Sequence, residues 1–418
     1  VSITGIKGMN DILPADSACW QFLEQQARTI FAAYGCREIR VPVVEKTELF
    51  CRSIGESTDI VEKEMYTFTD RSNHSLTLRP EGTAPVMRAF IQHKLYNTDQ
   101  VSKLYYMGPM FRYERPQKGR YRQFHQIGAE IIGIDDPRID AQVLAMLSHY
   151  FDAVGIDDVS LQINSLGCPQ CRPGYRQALV DYLQQRLEQL CPDCQRRYLS
   201  NPLRVLDCKV AGCKQSTAAA PSVLDHLCGD CADHFTSVQH HLDLIDVDYT
   251  INNRMVRGLD YYTRTTFEMV TGSLGAQNAV AAGGRYDGLI EELGGPALPG
   301  IGFAMGVERL VLLLQERDIS VPPPALFIAA LGDNAVSAAF TIMHKLQRQG
   351  IHVEMDFGGK SLKAQMRRAN KLGCRYTLLL GEDELASGTA QLKNMNDSSQ
   401  NTLQLAGIEE QLRTVLDA

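Results

Sequence analysis

Phe111-Arg112-Tyr113-Glu114-Arg115-Pro116-Gln117-Lys118-Gly119-Arg120-Tyr121-Arg122-Gln123-Phe124 carries four arginines and one lysine in fourteen residues, with aromatic rings set between them. Apolar runs of strand length flank it, at 104–107 and 126–132. Pro-Gln-Lys-Gly-Arg in the middle is turn chemistry. The stretch therefore predicts a β-hairpin with a cationic tip. A guanidinium is a flat two-point donor to phosphate or carboxylate, and an aromatic face can stack on a base. The plainer alternative is a solvated charged hairpin.

Working outward, Leu78-Arg79-Pro80-Glu81-Gly82-Thr83 ends a strand expected at 75–78 and opens a helix expected at 84–93. A carboxylate at such a junction can hold a ligand's ammonium or a cation, or can simply complement the helix dipole. Gly302-Phe303-Ala304-Met305-Gly306-Val307-Glu308-Arg309-Leu310 opens a helix over 307–315 and puts Arg309 inside an apolar run. A guanidinium there needs an anion, either a core carboxylate or a nucleotide phosphate. Arg257-Gly258-Leu259-Asp260-Tyr261-Tyr262 and the 282–288 stretch, Ala-Gly-Gly-Arg-Tyr-Asp-Gly, read as loops whose glycines permit close approach to a ligand.

Several phosphate and hydrolase signatures are absent. Gly359-Lys360-Ser361 resembles the end of a Walker loop, but Met355 stands where that loop needs glycine. Gly300-Ile301-Gly302 lacks the third glycine of a dinucleotide fingerprint, and neither His-Glu-x-x-His nor Gly-x-Ser-x-Gly occurs. Phosphate handling here would fall to side-chain cations.

The whole chain, 418 residues with 44% hydrophobic and 22% charged side chains, suits two or three globular domains. A net charge of -7 disfavours indiscriminate polyanion binding, although local basic patches decide that question. No apolar run approaches the ~18 residues of a membrane span. Residues 1–14 lack a basic stretch followed by an apolar run, so a cytoplasmic protein is expected.

Val321-Pro322-Pro323-Pro324 reads as a linker, 321–324, because prolines neither continue helices nor join central strands. Beyond it, strands at 325–331, 351–356 and 375–380 alternate with helices at 334–349, 361–372 and 408–416. This predicts a C-terminal α/β domain, 325–418, on a largely parallel sheet. Residues 1–320 mix helices with β-rich stretches, 249–252 and 265–270 among them, and predict an α+β domain on an antiparallel sheet. A helical cysteine-rich insertion over 168–247, with helices at 175–190 and 235–244, interrupts it.

Eight of the twelve cysteines lie between Cys168 and Cys231. Three C-x2-C pairs (Cys168/Cys171, Cys191/Cys194, Cys228/Cys231) and one C-x4-C pair (Cys208/Cys213) have the spacing of structural Zn2+ ligands, enough for two four-thiolate sites. Reduced buried thiols are the alternative. Cys19, Cys36, Cys51 and Cys374 read as small hydrophobes. In the C-terminal domain, Lys360, Lys363, Arg367 and Lys371 at helical spacing would form one cationic face, with Arg368 and Arg375 nearby.

These stretches together resemble the class II aminoacyl-tRNA synthetases. Arg37-Glu38-Ile39-Arg40-Val41-Pro42 is similar to that class's motif 1, a dimer-interface element. Residues 111–124 resemble motif 2, and residues 302–310 resemble motif 3. The 78–83 and 257–262 stretches resemble the two signatures of the histidine-specific branch. The resemblance covers the whole chain and implies a class II antiparallel-sheet catalytic domain plus an anticodon-binding domain. It implies ATP and Mg2+, L-histidine, tRNA(His) and a homodimer. By the same resemblance Arg112, Arg257 and Arg309 would be catalytic. Arg112, Glu114, Phe124 and Arg309 would hold ATP, with Phe124 stacked on adenine. Glu81, Gly82, Thr83, Gln126, Glu130, Arg257, Tyr261 and Tyr262 would hold histidine. Arg257 would stand near the α-phosphate, where related enzymes use a metal ion. Gln117, Lys118 and Arg120 would meet the acceptor end of the tRNA, and Lys360, Lys363 and Arg367 would contact tRNA phosphates.

Two rivals were weighed. One is a synthetase-like regulatory subunit without aminoacylation, such as occurs in histidine biosynthesis. Retention of Arg112, Arg257, Arg309 and the C-terminal domain speaks against it. The other is a tRNA-binding scaffold that consumes no ATP. Glu81 and Glu130 speak against that, since acids in a polyanion groove cost affinity unless a cationic ligand needs them.

Overall fold

The computed structural model describes residues 3–55, 58–256, 259, 261–275, 278–317 and 319–416. The chain divides at Ile319/Ser320 into two compact units.

The first unit is built on an eight-stranded sheet. Its strands run in the order Arg37–Glu38, Ser102–Phe111, Gln123–Ile132, Gly300–Gly306, Ala279–Arg285, Thr263–Val270, Ser160–Ser165 and Thr250–Ile251. The six central strands pair antiparallel, and the short strand at each edge pairs parallel to its neighbour. Side chains alternate across the sheet with a period of two. Tyr105, Ile127, Ala129 and Ile131 face a core shared with helices Pro14–Ala33 and Pro137–Val154. Leu104, Tyr106 and Ile132 face a second core with helix Thr83–Gln92. By the same parity Phe124, Gln126 and Glu130 share this second face, and the functional site lies there.

The 282–288 stretch departs from the loop expected of it, because Ala279–Arg285 is a central strand. Its glycines serve packing. A Cβ at Gly283 would come within 2.8 Å of the Phe303 Cβ on the adjacent strand. Arg285 is fully buried and donates from Nε to both Asp140 oxygens, at 2.8 and 3.0 Å, which ties the strand to helix Pro137–Val154. The strand expected at 75–78 is present as Ser75–Leu78. It belongs to a separate three-stranded antiparallel sheet with Val44–Lys46 and Tyr66–Thr69.

Short helices fill the cysteine-rich segment: Arg172–Gln184, Pro192–Arg197, Leu203–Leu206 and Ala211–Ser216. They pack around a small core of their own. The helix expected over 175–190 ends at Gln184 and gives way to a 3₁₀ turn, Leu187–Gln189. Helix Gly229–Asp243 was expected within the insertion, yet Phe235, Val238 and Leu242 bury in the main core. That i, i+3, i+7 stripe needs an apolar partner, and the sheet supplies it.

The second unit has a five-stranded sheet in the order Val353–Met355, Leu326–Ala330, Tyr376–Leu380, Thr389–Asn394, Gln400–Gln404. The first three strands are parallel, and the last two add an antiparallel hairpin that the sequence pattern did not predict. Helices Asp333–Gln347, Leu362–Lys371 and Ile408–Leu416 lie close to where the apolar spacing put them.

Candidate active site

A cavity of about 620 Å3 opens on the second face of the main sheet, and its two ends differ in chemistry.

One end is acidic and aromatic. Glu81 sits where the chain leaves strand Ser75–Leu78 and enters helix Thr83–Gln92. Its carboxylate accepts from the backbone N–H of Thr83 at 2.7 Å and of Ala84 at 2.8 Å. Arg79 steadies this junction by donating to the carbonyls of Pro109 and Val41, at 2.9 and 3.0 Å. Gly82 is required for close approach, since a Cβ there would collide with the Tyr106 ring. Glu130 lies fully buried beneath. The Thr83 hydroxyl donates to its Oε1 at 2.7 Å, and the Tyr286 hydroxyl donates to its Oε2 at 2.5 Å. Burial pushes the Glu130 carboxyl up to about 8, against the pull of those two donors and with a further push from the Glu81 charge. Burial also raises Glu81, against its two backbone donors and the Arg112 charge. Tyr261 and Tyr262 lie tilted against each other with centroids 4.7 Å apart, and Tyr286 meets Tyr261 edge-on at 5.9 Å. The Gln126 Oε1 is buried with no hydrogen-bond partner among the described residues. An orphaned buried acceptor in a cavity is the mark of a ligand donor.

The other end is cationic. Arg112 donates from Nε to the Pro80 carbonyl at 2.8 Å, and its guanidinium lies 5.3 Å from the Phe124 ring centroid. Arg309 leaves the start of helix Val307–Leu313 and donates to the carbonyls of Gly119, at 3.2 Å, and Ala279. Burial lowers its hold on its proton, and the nearby Arg120 and Arg112 charges push the same way. Glu268 and Glu308 offset part of this positive charge, and Glu308 also serves as a fastener. It accepts from the His125 backbone N–H at 2.9 and 3.0 Å and contacts His125 Nδ1 at 3.0 Å, pinning the helix to the hairpin. Arg120 forms an ion pair with Glu114. Three guanidinium groups thus share one cleft, an arrangement that suits a polyanion.

Most of the expected site residues therefore meet. Glu81, Thr83, Arg112, Glu114, Arg120, Phe124, Gln126, Tyr261, Tyr262 and Arg309 line the cavity, with Gly82 and Glu130 directly behind the wall. Gln117 and Lys118 stand exposed at the hairpin tip, where Gln117 and Arg120 close the turn by paired backbone bonds of 3.0 and 2.9 Å. Arg257, Gly258 and Asp260 lie outside the described residues. Val256 and Leu259, on either side of Arg257, line the cavity. Sequence reasoning left out Tyr106, Tyr286 and Glu268. Tyr106 was legible from strand parity with Gln126, and Tyr286 only from its place in the glycine-rich stretch.

In the second unit, Lys363 and Arg367 project from one exposed face of helix Leu362–Lys371 and line a shallow groove with Met366 and Lys393. Lys360 does not share the helix. It lies in a turn closed by Asp356, which accepts from the backbone N–H of Gly358 and of Lys360 at 3.1 Å each. The helix begins two residues later, so the expected row of four cations is a row of three plus a turn residue.

Residues 8–310 match the family model for histidyl-tRNA synthetase, and residues 325–414 match that for an anticodon binding domain. The chain is 71% identical over 412 residues to the histidine–tRNA ligase of Syntrophotalea carbinolica, covering 99% of this chain and 98% of that one. It is 65% identical over 398 residues to the corresponding ligase of Geobacter sulfurreducens, covering 95% and 96%. Among solved structures, the apo S. aureus histidyl-tRNA synthetase superposes with a TM-score of 0.84 at 37% identity, over 99% of this chain and 100% of that one. No helix of the described residues is long and apolar enough to cross a membrane. With a matching family model over most of its length and relatives this similar end to end, the chain belongs to the histidyl-tRNA synthetase family.

Proposed function

We propose that the chain activates L-histidine with ATP and then transfers the histidyl group to the 3' end of tRNA(His). The observation that carries this reading is the cavity's polarity. Buried carboxyl groups, a partnerless amide oxygen and paired tyrosines stand at one end, and three arginines stand at the other.

In the first step a histidine carboxylate oxygen attacks the α-phosphorus, the bond to the β-phosphate bridging oxygen breaks, and pyrophosphate leaves. Negative charge builds on the phosphoryl oxygens, so positioning and fixed cations supply most of the acceleration. Arg112 and Arg257 face the α-phosphate in this reading, and Arg309 the γ-phosphate, with adenine against Phe124 and the Arg112–Phe124 stack. Glu114, now paired with Arg120, joins the nucleotide site. Mg2+ bound with ATP would offset phosphate charge, and Glu268, which lines the cavity, has the oxygen chemistry to help hold it. Glu81, Thr83, Gln126 and Glu130 hold the ammonium and imidazole N–H groups, and Tyr261 and Tyr262 wall the imidazole. Any amino acid without those donors would leave buried acceptors unpaired, and such sites discriminate strongly without editing.

In the second step a hydroxyl of the tRNA's terminal ribose attacks the activated carbonyl, and AMP leaves. Gln117, Lys118 and Arg120 at the exposed tip meet the acceptor end. Lys363 and Arg367, with Lys360 beside them, meet anticodon-arm phosphates. The protein acts as a cytoplasmic homodimer, with residues 1–320 as the catalytic part and 325–418 as the anticodon-binding part.

Pyrophosphate–ATP exchange measured with each of the twenty amino acids tests the reading. Histidine alone should support exchange. Exchange with a different amino acid, or with none, would overturn it.

A further inference from the structure

The eight clustered cysteines sort in space into two groups that the order of the chain does not give. Cys168 and Cys171 meet Cys228 and Cys231, while Cys191 and Cys194 meet Cys208 and Cys213. Within each group all four Sγ atoms lie within 4.8 Å of one another. All eight are free thiols. Four sulfurs bound at about 2.3 Å to one tetrahedral zinc sit about 3.8 Å from each other. The Cys168–Cys171, Cys168–Cys228 and Cys191–Cys208 separations are 3.5, 3.9 and 3.9 Å. A second feature accompanies the first. The Cys228 backbone N–H points at Cys171 Sγ, and the Cys191 N–H at Cys213 Sγ, each at 3.1 Å. Such N–H groups stabilise thiolate ligands from outside the metal shell. The two groups also share one burial pattern, each pair contributing one buried and one half-buried sulfur.

From this geometry we propose that the insertion holds two structural zinc ions, one in each four-thiolate cluster. The sites are nested. The inner one closes the loop between helices Pro192–Arg197 and Ala211–Ser216. The outer one joins the beginning of the insertion to its end, and so staples it shut where it leaves the catalytic sheet. Physical need agrees with geometry. The insertion's helices are 13, 6, 4 and 6 residues long, too short to persist alone. Their core rests on a few side chains such as Tyr175, Leu179, Leu183 and Val205. A piece of roughly 60 residues is marginal on its own core, and a metal staple adds stability where it is scarce. The outer site also adjoins the aromatic end of the cavity. The Leu166 and Arg264 backbones pair across it, and Arg172, next after Cys171, donates to the Tyr262 carbonyl.

Elemental analysis of the full-length protein, purified from zinc-supplemented medium, tests the proposal without any activity measurement, so its failure is separate from failure of the synthetase reading. The expected result is two zinc ions per chain. One should be lost in the Cys168→Ser/Cys171→Ser variant, and the other in Cys191→Ser/Cys194→Ser. Should those variants not fold, replacing zinc with Co2+ in the unmodified chain decides the matter. Two equivalents of cobalt with thiolate-to-metal charge-transfer absorption and tetrahedral visible bands support it. Fewer than two metal ions per chain, or cobalt binding without the thiolate bands, overturns it.

Discussion

Glu130→Gln should make the ligand-free protein more stable at alkaline pH while ending histidine activation. Glu130 is fully buried, and burial holds its carboxyl at about 8 against an ordinary 4.5. The folded state therefore binds a proton more readily than the unfolded chain. The stability this gives is complete below pH 4.5, declines as the pH rises, and is gone above about 8. At about 1.36 kcal/mol per pH unit, the decline amounts to about 3 kcal/mol by pH 7 and at most 4 to 5 kcal/mol beyond pH 8. A glutamine carries no such charge, so its contribution stays flat. Urea unfolding followed by tryptophan fluorescence is the assay. Trp20 is the chain's single tryptophan and packs against His125 at 4.9 Å, so it reports on the catalytic unit. The variant should lie within about 1 kcal/mol of wild type at pH 5 and exceed it by several kcal/mol at pH 9. Added histidine should narrow that gap, because a bound cationic or N–H donor compensates the ionised Glu130. Parallel pH curves for the two proteins would refute the reasoning, since they would mean that Glu130 ionises as readily inside as outside.

Arg309→Ala should reduce histidine-dependent pyrophosphate exchange by about 10²- to 10³-fold, the usual loss when a fixed cation opposite developing phosphate charge is removed. Its unfolding midpoint should change little, because burial and the Arg120 and Arg112 charges oppose the native guanidinium while Glu268, Glu308 and its bonds to the Gly119 and Ala279 carbonyls favour it. Gly302→Ala should cost about 1 to 3 kcal/mol in urea titration and weaken histidine binding, since the new Cβ meets the Ala129 carbonyl at 2.6 Å and collides with the Glu130 carboxylate. Lys363→Ala combined with Arg367→Ala should weaken tRNA charging and lower the salt slope of tRNA binding by about one per charge, with exchange unaffected. Equal loss of both activities would place the tRNA face elsewhere.

The sequence disclosed what is local. The cationic hairpin was legible because turn residues and alternation both fall within 102–132, and parity then put Phe124, Gln126 and Glu130 on one face. The parallel half of the second unit was legible because Leu326–Ala330 and Tyr376–Leu380 are largely apolar runs that alternate with segments of helical spacing. The hairpin Thr389–Asn394 with Gln400–Gln404 was not, since only Ala390 and Leu392 of its residues are buried and the rest is polar edge. The 282–288 stretch, whose first four residues end strand Ala279–Arg285, read as a loop because Gly283 and Gly284 have low strand propensity. Only the neighbouring backbones, invisible in one dimension, demand residues that small. The hydroxyl on Glu130 Oε2 comes from Tyr286, 156 positions away, and no spacing rule reaches that far.

The two ends of the cavity are both held in states that the empty protein would shed if it could. At one end, burial has raised two carboxyls toward neutrality, against the Arg112 charge on Glu81. At the other, a buried guanidinium is driven down by burial and by two like charges, against the pull of Glu268 and Glu308. Neither strain serves folding, and each is relieved by a different ligand. A zwitterionic amino acid with a basic side chain answers the first, and a triphosphate answers the second. Because the Arg112 charge acts on Glu81 as well as on Arg309, the two reliefs are not independent. In the proposed reading ATP would screen Arg112 and so remove part of what steadies the Glu81 carboxylate, which the histidine ammonium would then replace. A coupling between substrates would follow from that shared guanidinium, which acts on the acid at one end and on the arginine at the other.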